Sequence, residues 1–406
     1  MKKLLILIVV LISTIIVSSS SLNENRQLSK REKIEDFEYV YENIKNGYPY
    51  LDVIKRSDNI DWLENKQEYI KKIKKTTNDE EFIEELSSII SDLKNRHTEL
   101  IDNKNRYELF KKSYSKNNWY DFLDDENIID RYNSITQKIE IPKGIFMKKE
   151  LILKDIKDGE VGYIYLPSMA SKNGSTTKDL KMIGDYINGL DNHKALVIDI
   201  RGNKGGSDSY WQGVVSKLIE KDTKKVGYRV YRDNSELVKR YTNIRKLKLK
   251  PIKYLPEDVK QNSPKEVFNK FSDFEETSYT IKSKKESRFK GHIYVLIDNS
   301  VYSSSETFAM FCKETKFAKL IGQTTGGDGG GLDPILFKLK NSGLIVRMAS
   351  GMYLNEKGIC DEEFKTSPDF KMKNYERTKE FENDNCIKKV LELENIKNYS
   401  IKIFQI

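Results

Sequence analysis

Apolar residues along the first quarter of the chain recur at helical spacing. Ile34, Phe37, Val40, Tyr41 and Ile44 form one stripe. Ser29 and Glu32 stand before it at the S-x-x-E spacing of a capping box, and Gly47 follows as a stop signal. Trp62, Tyr69, Ile70 and Ile73 form a second stripe, and Phe82, Leu86, Ile89, Ile90 and Leu93 a third. Residues 25–98 therefore read as an N-terminal helical domain. From 99 to 158 the pattern weakens and turns polar, which reads as a connector with local structure. A hairpin closes this part of the chain: Leu151–Ile156, a turn at Asp158-Gly159, then Val161–Leu166.

Beyond the hairpin, short continuous apolar runs alternate with helical stripes. Ala195–Ile200 ends at Arg201 and precedes a stripe of Trp211, Val214, Val215 and Leu218. His292–Asp298 precedes Phe308, Ala309 and Phe311. Leu320–Ile321 starts a third run, and strands between Pro334 and Tyr353 are expected to close the pattern. Unbroken apolar runs suit strands buried on both faces, so 159–374 is expected to be an α/β layered core. Residues 375–406 read as a charged, partly helical tail.

The N-terminus reads as a signal peptide or short anchor over residues 1–21. Lys2-Lys3 precedes an apolar run from Leu4 to Val17 and then four serines. The run is shorter than the ~20 residues of a spanning helix. A secreted or cell-envelope protein is expected, touching a membrane only through this segment if it is not cleaved. Cys312, Cys360 and Cys386 are too scattered for a disulfide framework. With three histidines and no HExxH or CxxC, neither a metal site nor a cofactor is expected. The net charge of +9 comes from interleaved acids and bases, which excludes a nucleic-acid footprint.

The chemistry is sought where strands end and helices begin, because ligands of open α/β sheets collect there. The first such place reads Asp199-Ile200-Arg201-Gly202-Asn203-Lys204-Gly205-Gly206. A glycine pair after a strand lets backbone N–H groups face an oxyanion, although it also suits a plain turn. The second reads Asn299-Ser300-Val301-Tyr302-Ser303-Ser304-Ser305-Glu306. A serine here has its hydroxyl exposed at a tight elbow and at the positive end of a helix. Ser303 and Glu306 equally have the spacing of a capping box. A serine nucleophile needs a base. His193 and His292 belong at the amino ends of their strands, the wrong end of the sheet. His97 remains, at the end of the third helical stripe, where the helix dipole would also favour it without catalysis.

In this order, D-x-R-x-N-x-G-G at 199–206, S-S-S-E at 303–306 and Gly322-Gln323-Thr324-Thr325-Gly326-Gly327 resemble the tail-specific, or C-terminal processing, serine peptidases. The resemblance covers roughly 160–372 and takes in the helical segment ending at His97. It implies a ClpP/crotonase-like core behind an N-terminal helical domain. In one branch of the family the serine pairs with a lysine; Asp328 stands at that position, so this dyad is not supported. The other branch resembles the tricorn core peptidase and uses a histidine. Asn95-Arg96-His97-Thr98 matches its histidine motif, with Asp92 displaced from the usual acidic place. Glu362, with Glu363 its neighbour, precedes Pro368-Asp369 at the matching offset.

The resemblance thus implies Ser303 as nucleophile, His97 as base and Glu362 as its acidic partner. It implies oxyanion donors on Ser304 and on Gly205 or Gly206. Together these describe an exported serine endopeptidase that cleaves peptides or proteins through an acyl-enzyme. Two features depart from the family pattern. A peptide-binding PDZ domain often precedes the core, but 99–158 is short for one and lacks its glycine-rich loop. Serines also occupy 304 and 305, where alanine is usual. These departures keep open a rival reading, a protein on the same fold that binds peptides or apolar ligands without cutting them. An acyl-CoA enzyme on a crotonase-like core is a third reading, disfavoured by the exported serine–histidine–glutamate set.

Overall fold

The computed structural model describes residues 27–114, 119–135, 150–171, 175–232, 234–284 and 289–396. The expected signal or anchor segment lies outside them. Their strands are β1 (Glu99–Ile101), β2 (Ile152–Lys157), β3 (Val161–Tyr165), β4 (Ala195–Asp199), β5 (Thr223–Tyr231), β6 (Lys250–Pro251), β7 (Asp273–Ile281), β8 (His292–Ile297), β9 (Lys319–Gly322), β10 (Ile335–Lys338), β11 (Ile345–Met348), β12 (Met352–Asn355) and β13 (Phe370–Lys371). The chain divides into two compact units. Of the described residues, one takes those up to 45, within 61–138 and within 336–347; the other takes those within 46–60, 139–335 and from 348 onward.

The first unit is mostly helical. Its helices include Lys30–Gly47, Lys66–Lys75 and Asp79–Ser91, which carry the three predicted stripes except Trp62 and Leu93, both in flanking turns. The capping box is present: Ser29 N–H donates to Glu32 Oε2 (2.8 Å) and Glu32 N–H to Ser29 Oγ (3.3 Å). Trp62 stacks on Tyr41 with ring centres 5.5 Å apart and donates its indole N–H to Ile89 O. The polar stretch after His97 holds β1 and the helices Lys104–Tyr114 and Glu126–Ser134. β1 pairs antiparallel with β11, which pairs with β10. These two strands were expected to close the core sheet, and they join the helical unit instead. An apolar strand pattern states that a face must be buried; it does not name the partner.

The second unit holds the central sheet, in the order β13-β9-β8-β4-β3-β2. β2 and β3 form the predicted antiparallel hairpin, and the pairs from β3 to β13 are parallel. On one face Trp211, Phe308 and Phe311 pack with Ile198, Val295 and Leu320. On the other, Cys386, Ile387, Val390 and Leu391 pack with Tyr163, Val197 and Leu296. Burial on both faces is why β4 and β8 read as unbroken apolar runs. The last group belongs to the helix Asn385–Leu393, so the charged tail supplies one layer of the core. A second sheet, β12-β5-β7-β6, completes this unit.

Parallel register decides where the motifs meet. Asp199 pairs with Leu296, and Ile297 with Gly322. Three strands therefore end side by side, and their following loops, about 100 residues apart in the first case, become neighbours.

Candidate active site

Ser303 is the residue before the helix Ser304–Thr315 and holds φ 59°, ψ −125°. A side chain in this region costs about 1–3 kcal/mol and persists only where the surroundings impose it. Here both sides of the elbow are tied. Ser303 N–H donates to Gly327 O (3.2 Å), and Thr307 N–H donates to Ser303 O (2.9 Å). The side chain of Ser303 makes no capping hydrogen bond. The capping-box alternative is not realised, because Glu306 is turned elsewhere. Its carboxylate, buried under the loop, accepts Gly327 N–H (3.3 Å) and Thr366 N–H (3.1 Å).

The three consecutive serines have different surroundings. Ser303 is half-buried, whereas Ser304 and Ser305 are buried. Ser305 donates its hydroxyl to Asn203 Oδ1 at 2.7 Å. Ser304 Oγ is buried without a hydrogen-bond partner among the described residues. Of the three hydroxyls, that of Ser303 is the one presented at the elbow.

The glycine run packs directly on this elbow. Gly205 has φ +101°, and a Cβ there would lie 2.9 Å from Ser303 Cβ and 3.1 Å from Ser304 N. Only glycine leaves room for that approach. The Gly205 N–H is taken by Asn203 Oδ1 (2.9 Å). Gly206 bridges Met169 in parallel fashion: Met169 N–H donates to Gly205 O, and Ser207 N–H to Met169 O. In such a bridge the middle residue points its own N–H away from the partner strand. The Ser304 N–H opens a helix and so has no carbonyl one turn back.

The third loop carries acids. Gly327 has φ +94°, and a Cβ there would lie 2.8 Å from Glu362 Oε2, so the Glu362 carboxylate rests on the loop that holds the Ser303 amide. Asp361, its neighbour, accepts Gly329 N–H at 2.8 Å. Burial pushes the Asp361 carboxyl well above the usual carboxylate range, and the charge of Glu306 adds to the effect. Burial also raises the Glu306 carboxyl, against the amides and hydroxyls that bond it. Asp328, at the lysine position of the other branch, is buried and accepts the Tyr302 hydroxyl at 3.0 Å.

His97 belongs to the helical unit, in the turn after the helix Asp79–Ser91, and its backbone N–H donates to Asn95 Oδ1 (3.0 Å). His193 and His292 lie at the amino ends of β4 and β8 and contact Asp155 and Glu394, each at 2.8 Å. Asp199 and Arg201 in the first motif hold structure together. The buried Arg201 guanidinium bonds Asp199 and also Asp384, which caps the helix Asn385–Leu393. Sequence reasoning assigned no role to Asn203 or Asp361 and read Glu306 as a cap and as the end of the S-S-S-E motif. Their partners come from other loops, which spacing along one segment does not display. Among the described residues, no group of three or more His, Cys, Asp and Glu side chains is placed to hold a metal ion.

Solved structures share this architecture. A candidate peptidase from Parabacteroides merdae superposes with a TM-score of 0.58 at 19% identity, covering 92% of this chain and 98% of its own. Mature CPAF complexed with lactacystin gives 0.54 at 12% identity, covering 84% and 94%. No curated protein matches the chain. The sequence pattern of Peptidase family S41 matches residues 160–372, more than half of the chain. That span contains the glycine run, the serine elbow, the acid-bearing loop and Glu362. The α/β core behind a helical N-terminal region is thus the fold of a known peptidase group, and the chain belongs to peptidase family S41.

Proposed function

We propose that the chain is an exported serine endopeptidase with Ser303 as nucleophile and His97 as general base. The observation that carries the reading is the Ser303 elbow, with a half-buried hydroxyl at a strained backbone position against a glycine run. The imidazole of His97 takes the hydroxyl proton as Oγ attacks a peptide carbonyl. The resulting oxyanion accepts the N–H groups of Ser304 and Gly206, since the Gly205 N–H is already bonded. The imidazolium returns its proton to the leaving amine, and water then releases the acyl-enzyme. Glu362 steadies the imidazolium, as the acid does in serine triads. Peptides or proteins are the substrates, and the segment 1–21 directs export.

Fluorophosphonate labelling followed by peptide mapping tests this reading. The parent is expected to be labelled on Ser303 and to cleave a casein-type substrate, with both lost in Ser303→Ala. A folded, unlabelled parent would instead support a protein that binds peptides without cutting them. For the base, kcat/KM is compared across single histidine variants. His97→Ala is expected to abolish turnover, whereas His193→Ala and His292→Ala retain it. An active, folded His97→Ala protein with the parental rate would rule out the histidine assignment.

A further inference from the structure

We infer that Asn203 is a positioning residue that sets the oxyanion frame against the nucleophile elbow. The inference rests on Ser303 being the nucleophile. Asn203 is wholly buried and bonds through both ends of its amide. Nδ2 donates to Leu166 O (2.9 Å), at the end of β3, which anchors the side chain to the sheet. Oδ1 accepts two bonds from opposite sides of the site. One comes from Gly205 N–H (2.9 Å) in the glycine run, the other from the Ser305 hydroxyl (2.7 Å) in the first turn of the nucleophile helix. One oxygen atom thus fixes the spacing between the loop that bears Gly206 and the helix that bears Ser304.

Two consequences follow from this geometry. Because Asn203 takes the Gly205 N–H, the donor left for an oxyanion is that of the next residue, whose N–H points away from the Met169 strand. The side chain is also neutral, so it binds both elements without placing charge beside a developing oxyanion. Glycines restrain their own backbone weakly. Once the Oδ1 contact is lost, the glycine run is held by the Met169 bridge and the Ser168 hydroxyl on Gly205 O, both on its other side, away from the nucleophile helix. Misplacing reacting groups by about 1 Å can cost roughly 10² in rate. Ser305 supplies the hydroxyl that ties the helix to Asn203, through Oδ1 and through the Asn203 backbone oxygen (3.1 Å).

The test compares the parent with Asn203→Ala and Ser305→Ala, using the labelling rate constant, kcat and KM. Peptide affinity is measured separately in the Ser303→Ala background. Asn203→Ala is expected to slow labelling and kcat by about 10²-fold, with KM and peptide affinity within about threefold of the parent. Ser305→Ala, which leaves the Gly205 bond intact, is expected to slow labelling by about 3- to 10-fold at unchanged KM, roughly one neutral hydrogen bond. Equal losses in peptide affinity and kcat would mean a merely structural role and overturn the inference. So would parental labelling in Asn203→Ala. Should Asn203→Ala not fold, Ser305→Ala decides alone, and a parental labelling rate there refutes the frame. A parent that is not labelled at Ser303 removes the nucleophile assignment itself, and the inference falls with it; a labelled parent with labelled variants overturns the Asn203 role alone.

Discussion

The serines at 303, 304 and 305 have one chemistry and three surroundings, and the difference singles out Ser303 as the proposed nucleophile. Ser303→Ala is expected to abolish labelling while changing stability by less than about 2 kcal/mol, since its side chain caps nothing. Ser304→Ala is expected to retain activity within a fewfold, because its buried hydroxyl has no partner to lose and its backbone N–H stays. Loss of activity in Ser304→Ala alone would move the nucleophile by one residue. Asp328 bears a related prediction. It accepts the Tyr302 hydroxyl beside the elbow, a role that an amide oxygen can fill. Asp328→Asn is therefore expected to keep a measurable peptidase rate, and complete loss in a folded protein would show a chemical role for the carboxylate. At this scale the sequence carried the residue types and their order. It could not show that Glu306 turns away from the cap, because both geometries share one spacing.

At the scale of elements, the loop 325–330 hangs from two buried acids, and this makes stability depend on pH. The Asp361 carboxyl lies above its usual range in the folded protein, chiefly through burial. The native state therefore holds that proton more tightly than the unfolded chain does. The contribution of this group is complete below the ordinary carboxyl value of about 4 and is lost as pH rises. The loss can reach about 1.4 kcal/mol per pH unit while the native carboxyl stays protonated. Asp361→Asn keeps an oxygen for the Gly329 N–H and removes the titration. Its unfolding free energy relative to the parent is expected to increase between pH 4 and pH 8 in urea titrations. A pH-independent difference would contradict the burial argument. The strands β4 and β8 were legible from their apolar runs alone. The destinations of β10 and β11 were not, since pairing with β1 joins positions some 245 residues apart.

At the scale of the whole molecule, the tail is the element whose composition misleads most. It is charged, yet Cys386, Ile387, Val390 and Leu391 cover one face of the central sheet. Asp384 fastens it by bonding Arg201 and capping its helix. Arg201 keeps Asp199 when Asp384 is removed, so the loss is that of a helix cap, about 0.5–2 kcal/mol, together with the Arg201 bonds to Asp384. Asp384→Ala is expected to lower the urea midpoint accordingly, and removal of residues 375–406 to expose apolar surface detectable by dye binding. A soluble truncated protein with parental stability would show that the sheet does not need this layer. Local pattern alone set the class of fold, the two buried strands, the capping box at Ser29 and the three loops proposed to carry the chemistry. These follow from local spacing and from apolar runs, which act through neighbouring residues. Tertiary structure decided which serine presents its hydroxyl, what Glu306 and Asn203 bind, and that the tail belongs to the core. Each of those depends on parallel register placing distant strand ends side by side, and no local pattern encodes that contact.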